Sequence, residues 1–285
     1  MKNNQLSSYT LDANRYSLTI GWLYPDLMNT YGDRGNIITL IKRCQWRGIK
    51  VEVKRLNPGF NHKQLTICNM LVMGGAQDIQ QEIVGEDLKK KNKILKQMIN
   101  DGTPGLFVCG GFQFLGKYYK EADGTIVNGL GIFDLYTENP GENHPRLIGN
   151  IAIKFNIDIL RASDSESRSS FSTSSNSKNV IIGFENHGGR TYLGKNIKPF
   201  GKVLKGFGNN GKDGFEGAVY KNSFGTYLHG PILPKNPELA DHLIKLSLIR
   251  KYKEFTLDPL DDTIEKKAKD TILNRLKIQN SPNSS

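Results

Sequence analysis

Residues 105–116 read Gly-Leu-Phe-Val-Cys-Gly-Gly-Phe-Gln-Phe-Leu-Gly, a short apolar run that ends in Cys109 and two glycines before a helix-like apolar pattern. This pattern predicts a strand, a tight turn and a helix, with the cysteine on the turn. A thiol at a helix N-terminus lies where free backbone N–H groups and the helix dipole favour a thiolate and can hold an oxyanion. The segment alone leaves a second interpretation open, in which Cys109 is a small buried side chain that closes a strand.

The same residues partly match a phosphate-binding loop. Gly111, Gly116 and Lys117 fit the first part of G-x-x-x-x-G-K-[ST], but the next residue is Tyr118. A phenol cannot take the compact metal-ligating place of Ser or Thr in that motif. We therefore expect no ATP site in this chain, and a reaction that uses ATP would need another chain to bind it.

Composition sets the outer limits of the fold. The chain has 285 residues, 37% hydrophobic and 24% charged, and no apolar run near the roughly 18 residues that span a bilayer. We expect one globular domain at 18–278 between flexible tails at 1–17 and 279–285. Cys44, Cys68 and Cys109 show no C-x-x-C spacing, which argues against a disulfide framework or a metal site and favours a reducing compartment, the cytoplasm.

The formal net charge of +11 raises the question of an anionic partner. The lysines are scattered, and clusters such as 89–91 and 266–267 lie in helix-like stretches that also carry Asp and Glu. This arrangement favours solvated helix faces and no nucleic-acid partner. Two roles for the excess charge stay open: docking to an acidic protein, or a peripheral position at the inner membrane face near an anionic substrate.

Strands and helices alternate as far as residue 120. Strands are predicted at 18–24, 51–56, 71–73 and before Cys109, with helices at 37–47 and 83–100 between them. The alternation predicts an α/β fold with a mostly parallel, flavodoxin-like sheet flanked by helices, in which Cys109 and the Gly74-Gly75 turn share the C-terminal edge.

The predicted secondary structure changes after Gly131, from alternating strands and helices to short strands. Short β-rich pieces, many of them expected to be antiparallel, are predicted at 131–137, 146–155, 180–184, 202–207, 216–220 and 225–229. A serine-rich segment at 163–178 is interpreted as a flexible inserted loop. Two C-terminal helices are predicted at 238–252 and 262–277, the second packing on the domain through Ile264, Ala268, Ile272 and Leu276.

A nucleophilic cysteine needs a base, and the histidines differ in their predicted positions. His229 ends the run Gly-Thr-Tyr-Leu-His-Gly-Pro at 225–231, so a strand carries it to the same edge as Cys109 before Pro231 turns the chain away. His187, in the polar run 184–190, is the rival base. His242 lies in a lysine- and leucine-containing helix and is interpreted as structural.

These segments also carry a resemblance. Residues 105–116 and 225–231 resemble the class I glutamine amidotransferases of the cobyric acid synthase branch. Three further blocks, Asn-Thr-Tyr-Gly-Asp-Arg-Gly-Asn at 29–36, Phe-Glu-Asn-His-Gly-Gly-Arg-Thr-Tyr at 184–192 and Leu-His-Gly-Pro-Ile-Leu-Pro-Lys-Asn at 228–236, resemble the GatD-type glutaminase subunits of lipid II isoglutaminyl synthase. The similarity covers about residues 18–278, and several separated blocks in one order make it specific.

The resemblance implies a glutaminase. Cys109 would attack the carboxamide of L-glutamine to form a glutamyl thioester, and His229 would take the thiol proton and pass it to ammonia. Backbone N–H groups of Gly110 and of the turn at Gly75 would hold the oxyanion, and Arg146 would bind the substrate. The family often has a glutamate two residues after the histidine, but Pro231 stands there, so the third residue stays open between a Cys-His dyad and a carboxylate such as Glu185.

The resemblance also implies a heterodimer with a MurT-type, Mur-ligase-like subunit. That partner would bind ATP, Mg²⁺ and lipid II, whereas this chain would hold no cofactor and no metal. Ammonia from glutamine would amidate the α-carboxyl of D-glutamate in the lipid II stem to give D-isoglutamine, a step in cell-wall peptidoglycan synthesis. The alternatives are a cobyrinate-type or other amidotransferase subunit, and a non-catalytic scaffold on the same fold.

Overall fold

The computed structural model describes residues 15–76, 78–155 and 179–278. Its strands are β1 Ser17–Leu23, β2 Lys50–Leu56, β3 Met70–Met73, β4 Gly105–Val108, β5 Tyr118–Lys120, β6 Ile126–Asn128, β7 Leu135–Glu138, β8 Leu147–Phe155, β9 Val180–His187, β10 Arg190–Leu193, β11 Gly201–Lys205, β12 Phe215–Glu216, β13 Ala218–Tyr220 and β14 Ser223–Thr226. Its α-helices are α1 Arg34–Gln45, α2 His62–Thr66, α3 Asp78–Asn100, α4 Gly110–Leu115, α5 Pro237–Tyr252 and α6 Thr263–Arg275. Short 3₁₀ turns lie at Thr30–Gly32 and Leu233–Lys235.

A six-stranded sheet forms the centre of the molecule, in the order β13-β14-β4-β3-β1-β2. All neighbours are parallel except β13, which pairs antiparallel with β14. Strands β3, β4 and β14 are buried along their whole length, as expected for parallel strands covered on both faces. The predicted α/β fold with a mostly parallel sheet is confirmed.

Helices cover both faces of this sheet. Side chains of α1 and α5, including Leu40 and Leu243, pack with Ile20 and Val72 in one apolar cluster. Leu88 and Leu95 of α3 pack in a second cluster on the other face, with Leu71 and Phe107. Neighbouring residues of one strand thus point to opposite layers, and all parallel strands end at one common edge.

Two smaller sheets account for the β-rich part of the chain. Their orders are β10-β7-β5-β6 and β12-β11-β8-β9, and their pairs are antiparallel except β5 with β7. Strand β9 also forms a bridge between Phe184 and His229. This bridge connects the third sheet to the chain that follows β14 of the central sheet.

The single strand predicted at 216–220 is broken in the structure. Gly217 has a φ of +62°, and a Cβ atom there would lie 2.4 Å from the carbonyl oxygen of Gly225. The chain therefore turns at Gly217 and contributes β12 to one sheet and β13 to another. The periodicity of five residues could not show this turn.

The packing face of the last helix also differs from the prediction. Leu273, with Ile272 and Leu276, packs on Ala152, Val180 and Ile182, whereas Ile264 is 80% exposed and Ala268 is exposed. On this helix Lys269 is buried as well, and its ammonium donates to Glu238. Only the C-terminal half of the predicted apolar face reaches the core.

Several predictions fall beyond the described part of the chain. The tails, apart from residues 15–17, and the serine-rich segment 163–178 lie outside the described residues. In the ranges that are described, no helix is both long and apolar enough to cross a membrane.

Candidate active site

Cys109 occupies a strained turn between β4 and α4. Its φ of 51° and ψ of −105° lie in a region that non-glycine residues rarely adopt, at a cost of order 1–3 kcal/mol. The turn is held on both sides, because the Cys109 N–H donates to the Thr226 carbonyl at 2.8 Å and the Gln113 N–H donates to the Cys109 carbonyl at 2.9 Å. The strained conformation is thus maintained by hydrogen bonds from both neighbouring elements.

Cys109 is also the most accessible of the cysteines. It is half-buried, whereas Cys44 and Cys68 are buried. Burial raises the pKa of the Cys44 thiol and of the Cys68 thiol to about 12. The structure therefore favours the nucleophile interpretation of Cys109 and leaves the other two thiols unreactive.

His229 faces Cys109 across Gly75. The histidine is fully buried, and its backbone N–H and C=O both pair with Phe184, at 2.7 and 3.3 Å. A Cβ atom on Gly75 would lie 3.0 Å from His229 Cε1, 3.1 Å from Cys109 Cβ and 3.6 Å from Cys109 Sγ. Three segments distant in sequence therefore meet at one point, and glycine is needed at the middle one.

Asp33 lies next to the imidazole of His229. One oxygen, Oδ1, lies 3.7 Å from His229 Nδ1, and the other, Oδ2, accepts a hydrogen bond of 2.7 Å from the Gly75 N–H. Within the described part of the chain, Asp33 Oδ1 and His229 Nδ1 are buried and have no hydrogen-bond partner. Two unsatisfied polar atoms that face each other can close to a hydrogen bond with a small shift.

The charge state of His229 follows from these neighbours. Burial alone would lower the pKa of the imidazole, but the Cys109 thiolate and the Asp33 carboxylate outweigh it and raise the pKa to about 10. An imidazolium next to a thiolate is the pair that a cysteine nucleophile requires.

His187, the rival base, occupies a different environment. It is buried, its Nδ1 contacts the Gly189 carbonyl at 2.8 Å, and its ring stacks on Tyr227 with centroids 3.7 Å apart. Burial lowers the pKa of His187, which is therefore neutral. Its surroundings make it a structural residue.

Glu185, suggested from the sequence as a partner for His229, points to the other side of β9. Its two oxygens accept backbone N–H groups of Phe207 and Gly208 at 2.7 and 2.9 Å, and it lies 3.8 Å from His187 Nε2. The carboxylate beside His229 is Asp33, which the sequence analysis missed. Asp33 lies in the quoted block 29–36, in the loop between β1 and α1 and so at the same edge of the sheet, and this position was the available signal.

The predicted oxyanion donors differ in their surroundings. The Gly75 N–H is already engaged by Asp33, so it does not point into the site as a free donor. The Gly110 N–H begins α4 and therefore has no intrahelical acceptor. The next N–H, of Gly111, donates to the Gly74 carbonyl at 3.1 Å and holds the two glycine turns together.

Arg146 is connected to the site through two other residues. Its Nε and Nη2 donate to the side-chain and backbone oxygens of Asn186, at 2.8 and 3.0 Å. The Asn186 Nδ2 donates to the hydroxyl of Tyr31 at 2.6 Å, and the Tyr31 ring packs edge-on against His229 with centroids 5.0 Å apart. The predicted substrate-binding arginine is thus exposed and is linked to His229 through Asn186 and Tyr31.

Metal binding has no obvious place among these side chains. In residues 15–76, 78–155 and 179–278, no three His, Cys, Asp or Glu side chains cluster in a way that could hold a metal ion.

Comparison with known proteins identifies the family of the chain. Residues 19–237 match the model of the CobB/CobQ-like glutamine amidotransferase domain. The chain is 41% identical over 266 residues to the GatD subunit of lipid II isoglutaminyl synthase (glutamine-hydrolyzing) from Staphylococcus aureus strain N315, covering 93% of this chain and 98% of the relative. It is 40% identical over 239 residues to the subunit of the same name from Streptococcus pneumoniae strain ATCC BAA-255 / R6, covering 83% of each.

A solved structure shows the same fold. A crystal structure of a glutamine amidotransferase superposes with a TM-score of 0.52 at 12% identity, covering 80% of this chain and 98% of the other. At that identity the likeness concerns the fold alone. The family match over most of the chain and the two relatives show that the protein is an enzyme: the chain belongs to the CobB/CobQ-like glutamine amidotransferase family.

Proposed function

We propose that this chain is the glutamine-hydrolysing subunit of an enzyme that amidates lipid II. The observation that supports this most directly is the meeting of Cys109, Gly75 and His229 at one edge of the parallel sheet. The names of the two relatives point to the same reaction, and they match this chain over most of its length.

The first half of the reaction follows from the pair of side chains. The Cys109 thiolate attacks the side-chain carboxamide carbon of L-glutamine and forms a tetrahedral intermediate. The His229 imidazolium gives its proton to the nitrogen, the C–N bond breaks, and ammonia leaves. What remains on Cys109 is a γ-glutamyl thioester.

The second half releases glutamate. The imidazole, now neutral, takes a proton from a water molecule, which attacks the thioester carbon. The C–S bond breaks, and the thiolate and imidazolium return to their starting states. The Gly110 N–H is the proposed donor to the oxyanion in both halves, because a helix N-terminus presents an unpaired N–H and a partial positive charge.

Asp33 completes the proposed machinery as the residue that orients His229. A carboxylate on Nδ1 fixes the tautomer and stabilises the imidazolium, which leaves Nε2 to serve the thiol and the leaving group. The distance of 3.7 Å is longer than a hydrogen bond, and such contacts often tighten only when substrate is bound.

The ammonia has to reach a second active site. We propose that a MurT-type, Mur-ligase-like partner forms a heterodimer with this chain, binds ATP and Mg²⁺, and activates the α-carboxyl of D-glutamate in lipid II. A closed interface would keep ammonia from protonation and from loss to water. ATP and a free catalytic thiol both suit the reducing cytoplasm.

The test is glutamate release from L-glutamine, measured with the chain alone and with the co-expressed partner. Native protein should release glutamate, more rapidly with the partner, and Cys109→Ala should release none. Cys68→Ala is the matched control, because it removes a buried thiol remote from the turn. Equal release by native protein and Cys109→Ala would overturn the proposal, and so would no release from a folded, assembled complex.

A further inference from the structure

Arg146, Asn186 and Tyr31 form a continuous bridge from the protein surface to the catalytic histidine. Asn186 is its centre, since it accepts two hydrogen bonds from the guanidinium with its side-chain and backbone oxygens and donates one to the Tyr31 hydroxyl. The Tyr31 ring then contacts the ring of His229. Of these four residues, the glutaminase mechanism above uses only His229.

Asn186 fixes the orientation of Arg146. An exposed arginine has many rotamers and loses considerable conformational freedom when it is ordered. Here two oxygens of one residue hold the Nε and Nη2 donors, and the Nη1 donors take no part in the contact. A guanidinium held on one edge can offer its other donors to a carboxylate in a defined plane.

Arg146 also lies close to the Gly188-Gly189 turn between β9 and β10, which α4 approaches as well. Its Nη1 lies 3.3 Å from the position that a Cβ atom on Gly188 would occupy. On the next residue, Gly189, a Cβ atom would lie 3.0 Å from the side-chain amide nitrogen of Gln113 in α4. The glycine pair thus lets the arginine and the helix that follows Cys109 approach the same backbone turn from two sides.

Tyr31 occupies an unfavourable conformation that the bridge compensates. Its φ of 56° and ψ of 26° are left-handed, which costs a non-glycine residue free energy, and its ring is 47% exposed. The hydrogen bond from Asn186 and the edge-on contact with His229 hold the ring in place over the histidine. In that place it covers the imidazole on the solvent side.

We propose that Asn186 and Tyr31 are positioning residues for the amino-acid end of glutamine. Asn186 orients Arg146 to bind the α-carboxylate of glutamine, and Tyr31 connects Asn186 to the imidazole of His229. The inference rests on the proposed glutaminase, and it adds that Asn186 acts through Arg146 and not on its own.

Alkylation of Cys109 by iodoacetamide tests the bridge without requiring turnover. Cys44 and Cys68 are buried, so a folded protein should be labelled on one thiol only, and labelling of the other two reports unfolding of a variant. L-Glutamine should protect Cys109, and the concentration that gives half-protection measures binding. The full-length chain is compared as native protein, Asn186→Ala, Tyr31→Phe, Arg146→Ala and the double variant Asn186→Ala/Arg146→Ala.

The expected results form a pattern. Asn186→Ala raises the half-protecting concentration about tenfold, the effect of weakening one charge-assisted contact. Tyr31→Phe raises it about threefold, and Arg146→Ala raises it more than Asn186→Ala does. The double variant equals Arg146→Ala alone, because a residue that acts through Arg146 has no effect once Arg146 is gone. Asn150→Ala is the matched control, an exposed asparagine on the neighbouring strand opposite Phe184, and stays within twofold.

Butyramide, which has the amide but no α-carboxylate, separates binding of the carboxylate from other effects. Its protection should be equally weak in native protein and in Asn186→Ala. Additive effects in the double variant, or native-like protection in Asn186→Ala, would overturn the bridge while leaving the glutaminase intact. Labelling of native Cys109 without any protection by L-glutamine would overturn the glutaminase and the bridge together.

Discussion

Replacing Asp33 by asparagine removes the negative charge beside His229 and keeps the shape of the side chain. The amide oxygen can still accept the hydrogen bond that Gly75 donates at 2.7 Å, so the turn should survive. What changes is the contact between Asp33 Oδ1 and His229 Nδ1, which face each other at 3.7 Å in a buried site. The substitution therefore tests whether this carboxylate orients the imidazole of His229 and keeps it protonated.

The distance sets the size of the effect. At 3.7 Å and an effective dielectric constant of about 20, two unit charges attract by about 4 kcal/mol, which corresponds to about three pKa units. The pKa of His229, about 10 in the native site, should fall by up to that amount. Because the imidazolium must protonate the leaving nitrogen of the tetrahedral intermediate, we expect kcat/KM for glutamine to fall by about 10²–10³-fold.

The assay is the pH dependence of glutamate release by the complex with its partner. The native alkaline limb should lie near the high pKa of His229, and the limb of Asp33→Asn should lie at lower pH. Asp26→Asn is the matched control, because Asp26 is exposed on the same loop region and pairs only with exposed Arg55 and Asn57 among the described residues. Turnover of Asp33→Asn within twofold of native, with an unmoved alkaline limb, would refute the reasoning.

Three further predictions concern packing and charge. Gly75→Ala should lower kcat about tenfold or more at little cost in stability, because the new methyl group must displace the side chains of His229 and Cys109 by a few tenths of an ångström. Steady-state kinetics and urea unfolding measure the two effects separately. A loss of stability with an unchanged kcat would contradict this prediction. Burial raises the pKa of Glu216 to about 8, so the folded chain holds a proton that the unfolded chain loses above about pH 4.5, and stability should fall as pH rises from 5 to 8. Glu216→Gln should lack that slope in urea titrations at the two pH values, and an identical slope would refute the assignment. Arg43→Met should cost about 2 kcal/mol in urea unfolding, because Asp262 loses its arginine partner whereas Asp241 keeps its hydrogen bonds from Arg47, and a cost below about 0.5 kcal/mol would show the Arg43 ion pairs to be dispensable.

Local pattern was sufficient to place Cys109 on its turn. The apolar run before Cys109 and the two glycines after it predict a strand, turn and helix, and the structure contains β4 and α4 there. The parallel arrangement of β3 beside β4 then brings Gly74 and Gly75 to the same edge, as the alternation of strands and helices indicated. Both inferences use short-range periodicity, which can be read directly from the sequence.

Contacts between distant segments were harder to predict. His229 lies three residues beyond the end of β14, and its position is fixed by the backbone bridge to Phe184, which no spacing in the sequence reveals. Asp33 comes from the loop after β1, and only the sheet order places that loop beside the histidine. Glu185 and His187 are close to this region in sequence but face inward, since alternate residues of a strand point to opposite sides.

Hydrogen bonds of the backbone at the site could not be read from the sequence either. Gly75 was a reasonable oxyanion donor as long as its N–H was taken to be free, but a side chain from another loop accepts it. The bridge through Asn186 was equally hidden, because it depends on the register of β8 against β9, which brings the start of β8 beside the end of β9. Both hydrogen-bond patterns depend on how two elements distant in sequence pack against each other.

The most direct test of the central claim is detection of the covalent intermediate. The complex is mixed with L-glutamine, quenched in acid within milliseconds, digested and analysed by mass spectrometry. The account predicts a γ-glutamyl group on the peptide that carries Cys109 and on no other cysteine peptide, and its loss in Cys109→Ala. Glutamate formed in the same samples without any acylated Cys109 peptide, and undiminished in Cys109→Ala, would contradict it.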